Sequence, residues 1–215
     1  MKIDPASAIH LLHANPHAVL ATNSTQMPGY PYATAVPLVV DEAHRPLLLI
    51  SALAEHTKNL LADGRASLAV SEPGQVNIQN AARLTLVGHF EAFEPAPEIL
   101  ARYLRYQPDA GQYLQLDFMF FRMSIERTRY IGGVGRMGWL EAADWQAVAR
   151  LAPGEEATLL ADTARHASTG VELIGLDTHG LDYAVNGVRG RQQFAAAGTA
   201  EQLAEWLPAM VRSLC

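Results

Sequence analysis

The sequence predicts an α+β protein built around an antiparallel β-barrel, with flanking helices and a small C-terminal α/β domain. Three observations support this class. The first two thirds of the chain contain six or more short apolar or alternating runs, the connections between them are of hairpin length, and helical patterns are few. An antiparallel barrel buries such strands without leaving open sheet edges.

The N-terminal part begins with a helix and continues as strands. Asp4 before Pro5 is typical of an N-cap, and apolar residues at helical spacing extend the helix to about residue 14. The runs 17–22 and 32–40 lie on either side of a Pro-Gly turn and predict a hairpin. The other predicted elements are strands at 47–51, 66–71 and 83–93, helices at 55–61 and 96–106, and a long strand pair at 118–131 that the glycines of 132–135 end.

A change of pattern after residue 145 predicts a second domain. Residues 150–158 include a Pro-Gly pair and two glutamates, which is typical of a linker. We therefore expect a barrel domain over 1–145 and a small α/β domain over 150–215. Its predicted elements are a helix at 158–167, a strand at 171–176, a hairpin through Asn186-Gly187, and a last helix capped by Thr199 and Gln202.

Composition argues against several classes of function. The 215-residue chain has a net charge of −6 and 16 scattered basic residues, so we expect no nucleic-acid partner. It has no apolar run of about 18 residues, which argues against a membrane span. The N-terminus lacks an apolar signal region, so we expect a cytoplasmic protein. The single cysteine, Cys215, excludes a disulfide framework and a thiolate metal cluster.

One polar segment is a candidate binding site, the sequence SALAEHTKNL at 51–60. A strand ends here directly before the first turn of a helix, where free backbone N–H groups and the helix dipole attract anions. The side-chain donors available to a phosphate are those of Ser51, His56, Thr57 and Asn59. A capped surface helix with solvated polar residues explains the same segment, and spacing alone leaves both interpretations open.

Three early histidines are a second candidate. His10, His13 and His17 recur at three- and four-residue steps, which is compatible with a metal-binding face. Neither a cysteine nor a cluster of acids stands beside them in the sequence. We therefore interpret them as exposed histidines on a helix surface.

The barrel sequence resembles a known family. The stretches that carry the resemblance are YPYATAVPLVVDEAHRPLLLISALAEHTKNLLADGRASLAVSEP, RLTLVGHFEAF, RYLRYQPDAGQYLQLDFMFFR and RYIGGVG. Over about residues 5–140 they resemble the FMN-binding split barrels of the pyridoxamine 5′-phosphate oxidase-like superfamily. The HT-x-N motif, the DF…YIGG-x-G ending and the later VELIGLDTHGLDY are similar to its haem-utilisation branch, which adds a small C-terminal α/β domain.

The resemblance implies FMN, haem or both as cofactor. In flavin-binding relatives the strand equivalent to 32–36 lies along the flavin, which implicates Tyr32 and Thr34. The strand-to-helix turn holds the phosphate, and His56 falls where the oxidases have a phosphate-binding lysine. Its neighbouring donors are Ser51, Thr57 and Asn59.

Two further expectations follow from the same resemblance. Split barrels complete their cofactor pocket with residues of a second copy, so we expect a homodimer, in which the apolar strands at 32–40 and 118–125 receive cover. Haem-degrading members bind the iron through a C-terminal histidine. That implies His179, in a Thr-His-Gly turn, with His166 as the runner-up; an exposed turn residue is the alternative interpretation of His179.

The resemblance implies oxidative haem degradation or flavin-dependent reductase or oxidase chemistry. Pyridoxamine phosphate oxidation is not expected. The oxidases bind pyridoxal phosphate with further basic residues, and this chain, whose only lysines are Lys2 and Lys58, has no clear counterparts to them. No catalytic residue is assigned from the sequence. The rival hypothesis is a non-catalytic cofactor-binding or regulatory protein that keeps the barrel.

Overall fold

The structure is a computed structural model that describes residues 3–133 and 135–214. Three residues named above lie outside the described residues: Lys2, Cys215 and Val134, which is part of the predicted break at 132–135. Two antiparallel sheets organise the chain, and the first is a curled half-barrel of eight strands. Its strands are β1 (His17–Asn23), β2 (Pro31–Pro37), β3 (Val39–Val40), β4 (Pro46–Ser51), β5 (Arg65–Ser71), β6 (Arg83–Ala92), β7 (Phe118–Ile131) and β8 (Met137–Glu141).

The strand order in this sheet is β2-β1-β5-β6-β7-β4-β3, and β8 pairs with β7. Every pairing is antiparallel, and the register of β6 against β7 shifts at Val87/Gly88, which bends the long strands. The helices around the sheet are α1 (Pro5–His13), α2 (Glu55–Ala62), α3 (Pro97–Tyr106), a 3-10 helix (Pro108–Tyr113) and α4 (Ala142–Gln146).

The remaining elements form a C-terminal unit (residues 153–211). It contains α5 (Pro153–Ala164), β9 (Val171–Asp177), β10 (Gly180–Val185), β11 (Val188–Gln193) and α6 (Ala200–Val211), with the strands in the order β11-β10-β9. The predicted split barrel with a small α/β addition is confirmed.

Alternation of buried and exposed residues explains why the first sheet curls around a core. Along β1 the buried positions are Ala18, Leu20 and Thr22, while the residues between them face outward. Leu12 of α1 and Phe121 of β7 are buried in the same apolar cluster. The C-terminal unit has a separate cluster, formed by residues such as Leu160, Leu176, Leu181, Leu203 and Leu207.

Local signals in the sequence produced several predicted element ends. The Asp4 side chain accepts a hydrogen bond of 3.0 Å from the backbone N–H of Ala6, so it caps α1 as expected. At α6 the Thr199 N–H donates to Gln202 Oε1 at 2.9 Å, which confirms the capping box. Asn186 and Gly187 both have positive φ, at 50° and 81°, as a two-residue hairpin turn requires.

Three predictions about elements were wrong. Residues 153–158 belong to α5 rather than to a linker, because Pro153 stands at the first helical turn, where its fixed φ favours a helix. The predicted strand pair at 118–131 is one 14-residue strand, and its partner strand β8 follows the glycines. The predicted strand at 32–40 is divided into β2 and β3.

No helix among residues 3–133 and 135–214 is long and apolar enough to cross a membrane.

The close packing of β9 against α3 predicts the effect of one small substitution. A Cβ atom added at Gly175 would lie 1.7 Å from the Tyr106 hydroxyl oxygen. We expect Gly175→Ala to lower the free energy of unfolding by about 1–3 kcal/mol, measured by urea denaturation. Gly111→Ala is the control, because its Cβ would meet no atom within 4 Å. Equal stability of the two variants would contradict this packing.

Candidate functional site

An open cavity of about 470 Å³ lies beside the strand-to-helix turn at Ser51. Its volume falls within the range of small-molecule and cofactor sites. The walls come from β2, β4, the start of α2, α3, the 3-10 helix and the start of β7. The lining residues are Ala35, Val36, Pro37, Leu49, Ile50, Ser51, Ala54, His56, Tyr103, Gln107, Asp109, Ala110, Tyr113 and Phe118.

The polar end of this cavity is the N-terminus of α2. Ala54 is the N-cap residue, and within the described residues no side chain caps the first turn, which leaves backbone N–H groups free for an anion. Ser51 and His56 line the cavity at this end. Half-burial lowers the pKa of His56 from its ordinary value, so its imidazole is neutral at pH 7.

Two of the predicted phosphate donors have a different environment. Thr57 and Asn59 are fully buried. Thr57 Oγ1 donates to the carbonyl oxygen of Ser51 at 2.6 Å. Asn59 Oδ1 accepts from the backbone N–H of Thr25 at 2.9 Å, and Asn59 Nδ2 donates to Thr22 Oγ1 at 3.0 Å. Both side chains thus hold the turn and α2 in place, whereas Ser51 and His56 face the cavity.

The two residues predicted to lie along a flavin are on β2, at one edge of the sheet. Tyr32 and Thr34 are both half-buried and do not line the cavity. The part of β2 that does line it begins one residue later, at Ala35.

A cavity wall that sequence reasoning missed is α3. Tyr103 is almost fully buried, and its hydroxyl oxygen accepts a 3.1 Å hydrogen bond from the backbone N–H of Leu49. Burial raises the pKa of Tyr103 to about 12, so the phenol stays protonated. The apolar face of this helix was visible in the sequence, but its position against β4 was not, because 54 residues separate the two partners.

The predicted haem ligands lie elsewhere. His179 is half-buried in the turn between β9 and β10, where its backbone N–H donates to Asp177 Oδ1 at 2.7 Å. Its ring lies 6.2 Å from that of His10 and 6.1 Å from that of His44, measured between centroids. His166 follows the end of α5. Neither residue lines the cavity.

The interpretation of the early histidines as exposed was wrong for His13. This residue is 0% exposed, because β9, β10 and the turn before β4 cover that face of α1. Its Nδ1 lies 3.1 Å from Asp182 Oδ2. His10 is only partly exposed, and His17 is exposed as expected but lies on β1 rather than on the helix.

A buried ionic network surrounds His13. Asp182 accepts hydrogen bonds from the Tyr106 hydroxyl at 2.6 Å and from Arg191 Nη1 at 2.9 Å. Arg191 Nη2 donates to Asp177 at 2.8 Å. Burial alone would raise the pKa of both carboxyls, but the Arg191 guanidinium and the His13 ring together outweigh it and hold both pKa values below their ordinary range.

A second ionic contact connects α3 to α5. Glu156, which is buried, accepts from Arg102, from Arg105 Nη2 at 2.9 Å, and from the backbone N–H of Leu176 at 3.1 Å. Arg102 also donates to the carbonyl oxygen of Val40 at 2.7 Å. The helix that forms one wall of the cavity is therefore fixed to both sheets.

The curled sheet and the cavity at its strand-to-helix turn define a split-barrel protein. Residues 2–147 match the family described as CREG, beta-barrel, and the chain belongs to this family. The resemblance read from the sequence is thereby confirmed. A stretch of 136 residues is 30% identical to the chloroplastic heme oxygenase HOZ of Arabidopsis thaliana, and covers 62% of this chain and 42% of that protein. The match thus spans less than half of the plant protein.

Two solved structures extend the likeness to the C-terminal unit. A heme binding protein from Mycobacterium smegmatis has a TM-score of 0.64 and 26% identity, over 99% of this chain and 97% of that one. The protein Atu2129 of Agrobacterium tumefaciens has a TM-score of 0.76 and 24% identity, over 97% and 95%. The second likeness concerns the fold alone.

The different environments of Asn59 and His56 predict different effects on stability. We expect Asn59→Ala to lower the free energy of unfolding by about 1–3 kcal/mol, because it removes the hydrogen bonds of a fully buried amide to the buried Thr22 hydroxyl and to the Thr25 backbone. His56→Ala should unfold at nearly the parent's urea concentration, since this side chain is half-exposed in the cavity. A large loss of stability in His56→Ala would show that the imidazole is structural.

Proposed function

We propose that the cavity at Ser51 and His56 binds haem and that the protein acts in haem utilisation, by oxidative degradation of the bound haem. The observation that carries this proposal is the cavity itself. It combines apolar walls, such as Val36, Ile50 and Phe118, with a neutral imidazole and an uncapped helix N-terminus at one end. A flat apolar ring with acidic side groups fits such a lining.

The relatives support haem over flavin. The Arabidopsis protein is named a heme oxygenase, and the Mycobacterium smegmatis protein a heme binding protein. Flavin remains the second candidate because the uncapped first turn of α2 suits a phosphate as well as a carboxylate. Haem and flavin would occupy the same cavity. The polar end would bind a carboxylate of haem or the phosphate of a flavin.

The residues present fit either group. The apolar wall would contact the ring system, the N–H groups of α2 would bind its anionic end, and His56 would donate to that end or ligate iron. A bound haem would supply iron-based redox chemistry with oxygen. The chain's own contribution would be to orient the ring and to exclude water from one face.

A non-catalytic binding role is the second candidate function. The lining contains one imidazole, His56, and one carboxylate, Asp109, and neither lysine nor arginine among the described residues. That offers few groups for proton transfer. A turnover assay separates degradation from binding alone. Loss of the haem Soret band after addition of a reductant and oxygen supports degradation, and a stable band supports a non-catalytic binding role.

We also propose that a second copy of the chain covers the cavity. The cover expected for 32–40 and 118–125 is largely supplied within the chain, since residues such as Val36, Val40 and Phe121 are already buried. Next to the cavity, however, Leu53 is 74% and Leu116 is 60% exposed. A 2.7 Å hydrogen bond from Ala52 N–H to the Asp117 carbonyl holds their two segments together. Exposed apolar side chains of this kind favour a homodimer.

The ligand proposal predicts the effect of removing the imidazole in the cavity. We expect His56→Ala to weaken haemin binding at least tenfold, about 1.4 kcal/mol, in absorbance titrations. FMN titrations of the parent and of His56→Ala show whether flavin binds in the same cavity. His17→Ala is the control, because His17 is exposed on β1 and does not line the cavity.

The family resemblance gives a rival outcome for the iron ligand. If His179 ligates the iron, His179→Ala abolishes a low-spin haem spectrum and leaves FMN binding unchanged. If His56 ligates the iron instead, the haem spectrum of His179→Ala is the same as that of the parent. Equal haemin affinity in parent, His56→Ala and His179→Ala would contradict both assignments.

The dimer proposal is tested by sedimentation. We expect the parent to be a dimer at micromolar concentration and Leu116→Glu to shift it toward monomer, because a charge on this exposed leucine cannot be buried cheaply. Val76→Glu is the control, since Val76 is fully exposed in a loop. A monomeric parent would contradict the proposal.

A further inference from the structure

Four of the chain's eight histidines meet where α1, the turn before β4 and the turn after β9 come together. The centroid distances are 5.3 Å between His13 and His44, 6.1 Å between His44 and His179, and 6.2 Å between His10 and His179. This group is distinct from the cavity at Ser51, whose lining includes none of the four. Its residues come from three distant parts of the sequence.

Three side chains in this group have the spacing of metal ligands. One ligand atom each from His13, His44 and Asp177 lies within 4.8 Å of the other two. His13 Nε2 is 3.1 Å from His44 Nδ1, and Asp177 Oδ2 is 3.6 Å from Nδ1, the other nitrogen of the His13 ring. Two nitrogens that each lie about 2.0–2.1 Å from a tetrahedral zinc ion are roughly 3.3 Å apart, close to the first distance.

The surroundings favour the imidazole forms that metals bind. Asp182 Oδ2 lies 3.1 Å from His13 Nδ1 and so favours a proton there, which leaves the lone pair of Nε2 directed at His44. A carboxylate behind a ligating histidine is the usual arrangement in metal sites.

The charges set the expected strength of binding. Asp177 and Asp182 share the Arg191 guanidinium, and Arg189 donates to the carbonyl oxygen of His13. The carboxylates are thus already balanced by arginines, and a metal ion must share Asp177 with Arg191. We therefore expect micromolar affinity rather than the much tighter binding of a structural zinc site.

We propose that His13, His44 and Asp177 bind a divalent transition-metal ion such as Zn²⁺ between the barrel and the C-terminal unit. His10 and His179 are the nearest further imidazoles for a fourth position. Such an ion would connect α1 and the turn before β4 to β9. This site is independent of haem or flavin in the cavity.

The test uses the full chain, free of haem and treated with a chelator, in a Cys215→Ser background that removes the thiol. We expect Zn²⁺ calorimetry to give one ion per chain, and Co²⁺ to develop visible absorption bands. His44→Asn should weaken Zn²⁺ binding at least tenfold. Asparagine is chosen because His44 has a φ of 57°, which asparagine tolerates. His17→Ala, on an exposed strand position, is the matched control and should bind as the parent does.

Several outcomes would overturn the proposal. Parent affinity weaker than about 100 µM, or equal affinity in His44→Asn and the parent, would show that the cluster holds no specific metal. Loss of binding in His17→Ala would assign the ion to the surface. If circular dichroism shows that His44→Asn is unfolded, Asp177→Asn replaces it, and tenfold weaker binding in that folded variant supports the site while unchanged binding overturns it.

Discussion

The buried pairing of Asp182 and Asp177 with Arg191 is the interaction on which the arrangement of the two sheets depends. Carboxylates and a guanidinium out of contact with water are stable only when they are paired, and breaking such a pair costs about 3–5 kcal/mol. These charges lie on β9, β10 and β11, and they face His13 of α1 and Tyr106 of α3. The C-terminal unit is therefore joined to the barrel where the buried Asp182 contacts His13 and Tyr106.

Helix α3 connects this buried ionic pairing to the cavity. On one side Arg102 and Tyr106 bond to Glu156 and Asp182 of the C-terminal unit. On the other side Tyr103 packs edge-on against Phe120 and accepts from Leu49, and it forms part of the cavity wall. A displacement of the C-terminal unit would thus move a wall of the proposed haem site. The position of the C-terminal unit should therefore affect ligand binding, even though its own histidines lie outside the cavity.

The elements of the barrel were largely predictable because their signals are local. Asp4 capped α1, alternation marked β1 and β6, and the Thr199–Gln202 pair began α6 where expected. The misplaced linker shows the limit of such signals: the same Pro-Gly pair that breaks a chain also begins a helix when the residues after it can pack. In the candidate site, the turn at Ser51 and His56 was visible as a polar first turn, but which of its donors face the cavity was not. Thr57 and Asn59 have suitable chemistry, and their hydrogen bonds to Ser51, Thr22 and Thr25 became evident only in three dimensions.

The sequence by itself determined the strands, the caps, the split-barrel class and the polar turn, since each follows from neighbouring residues or a family pattern. Only the tertiary structure decided the environment of His13. Along the chain it reads as one of several spaced histidines on a helix without acids nearby, yet Asp182, 169 positions later, lies 3.1 Å from its ring. Burial, charge pairing and pKa depend on contacts between residues far apart in sequence, and periodicity within one helix carries no information about what covers its face.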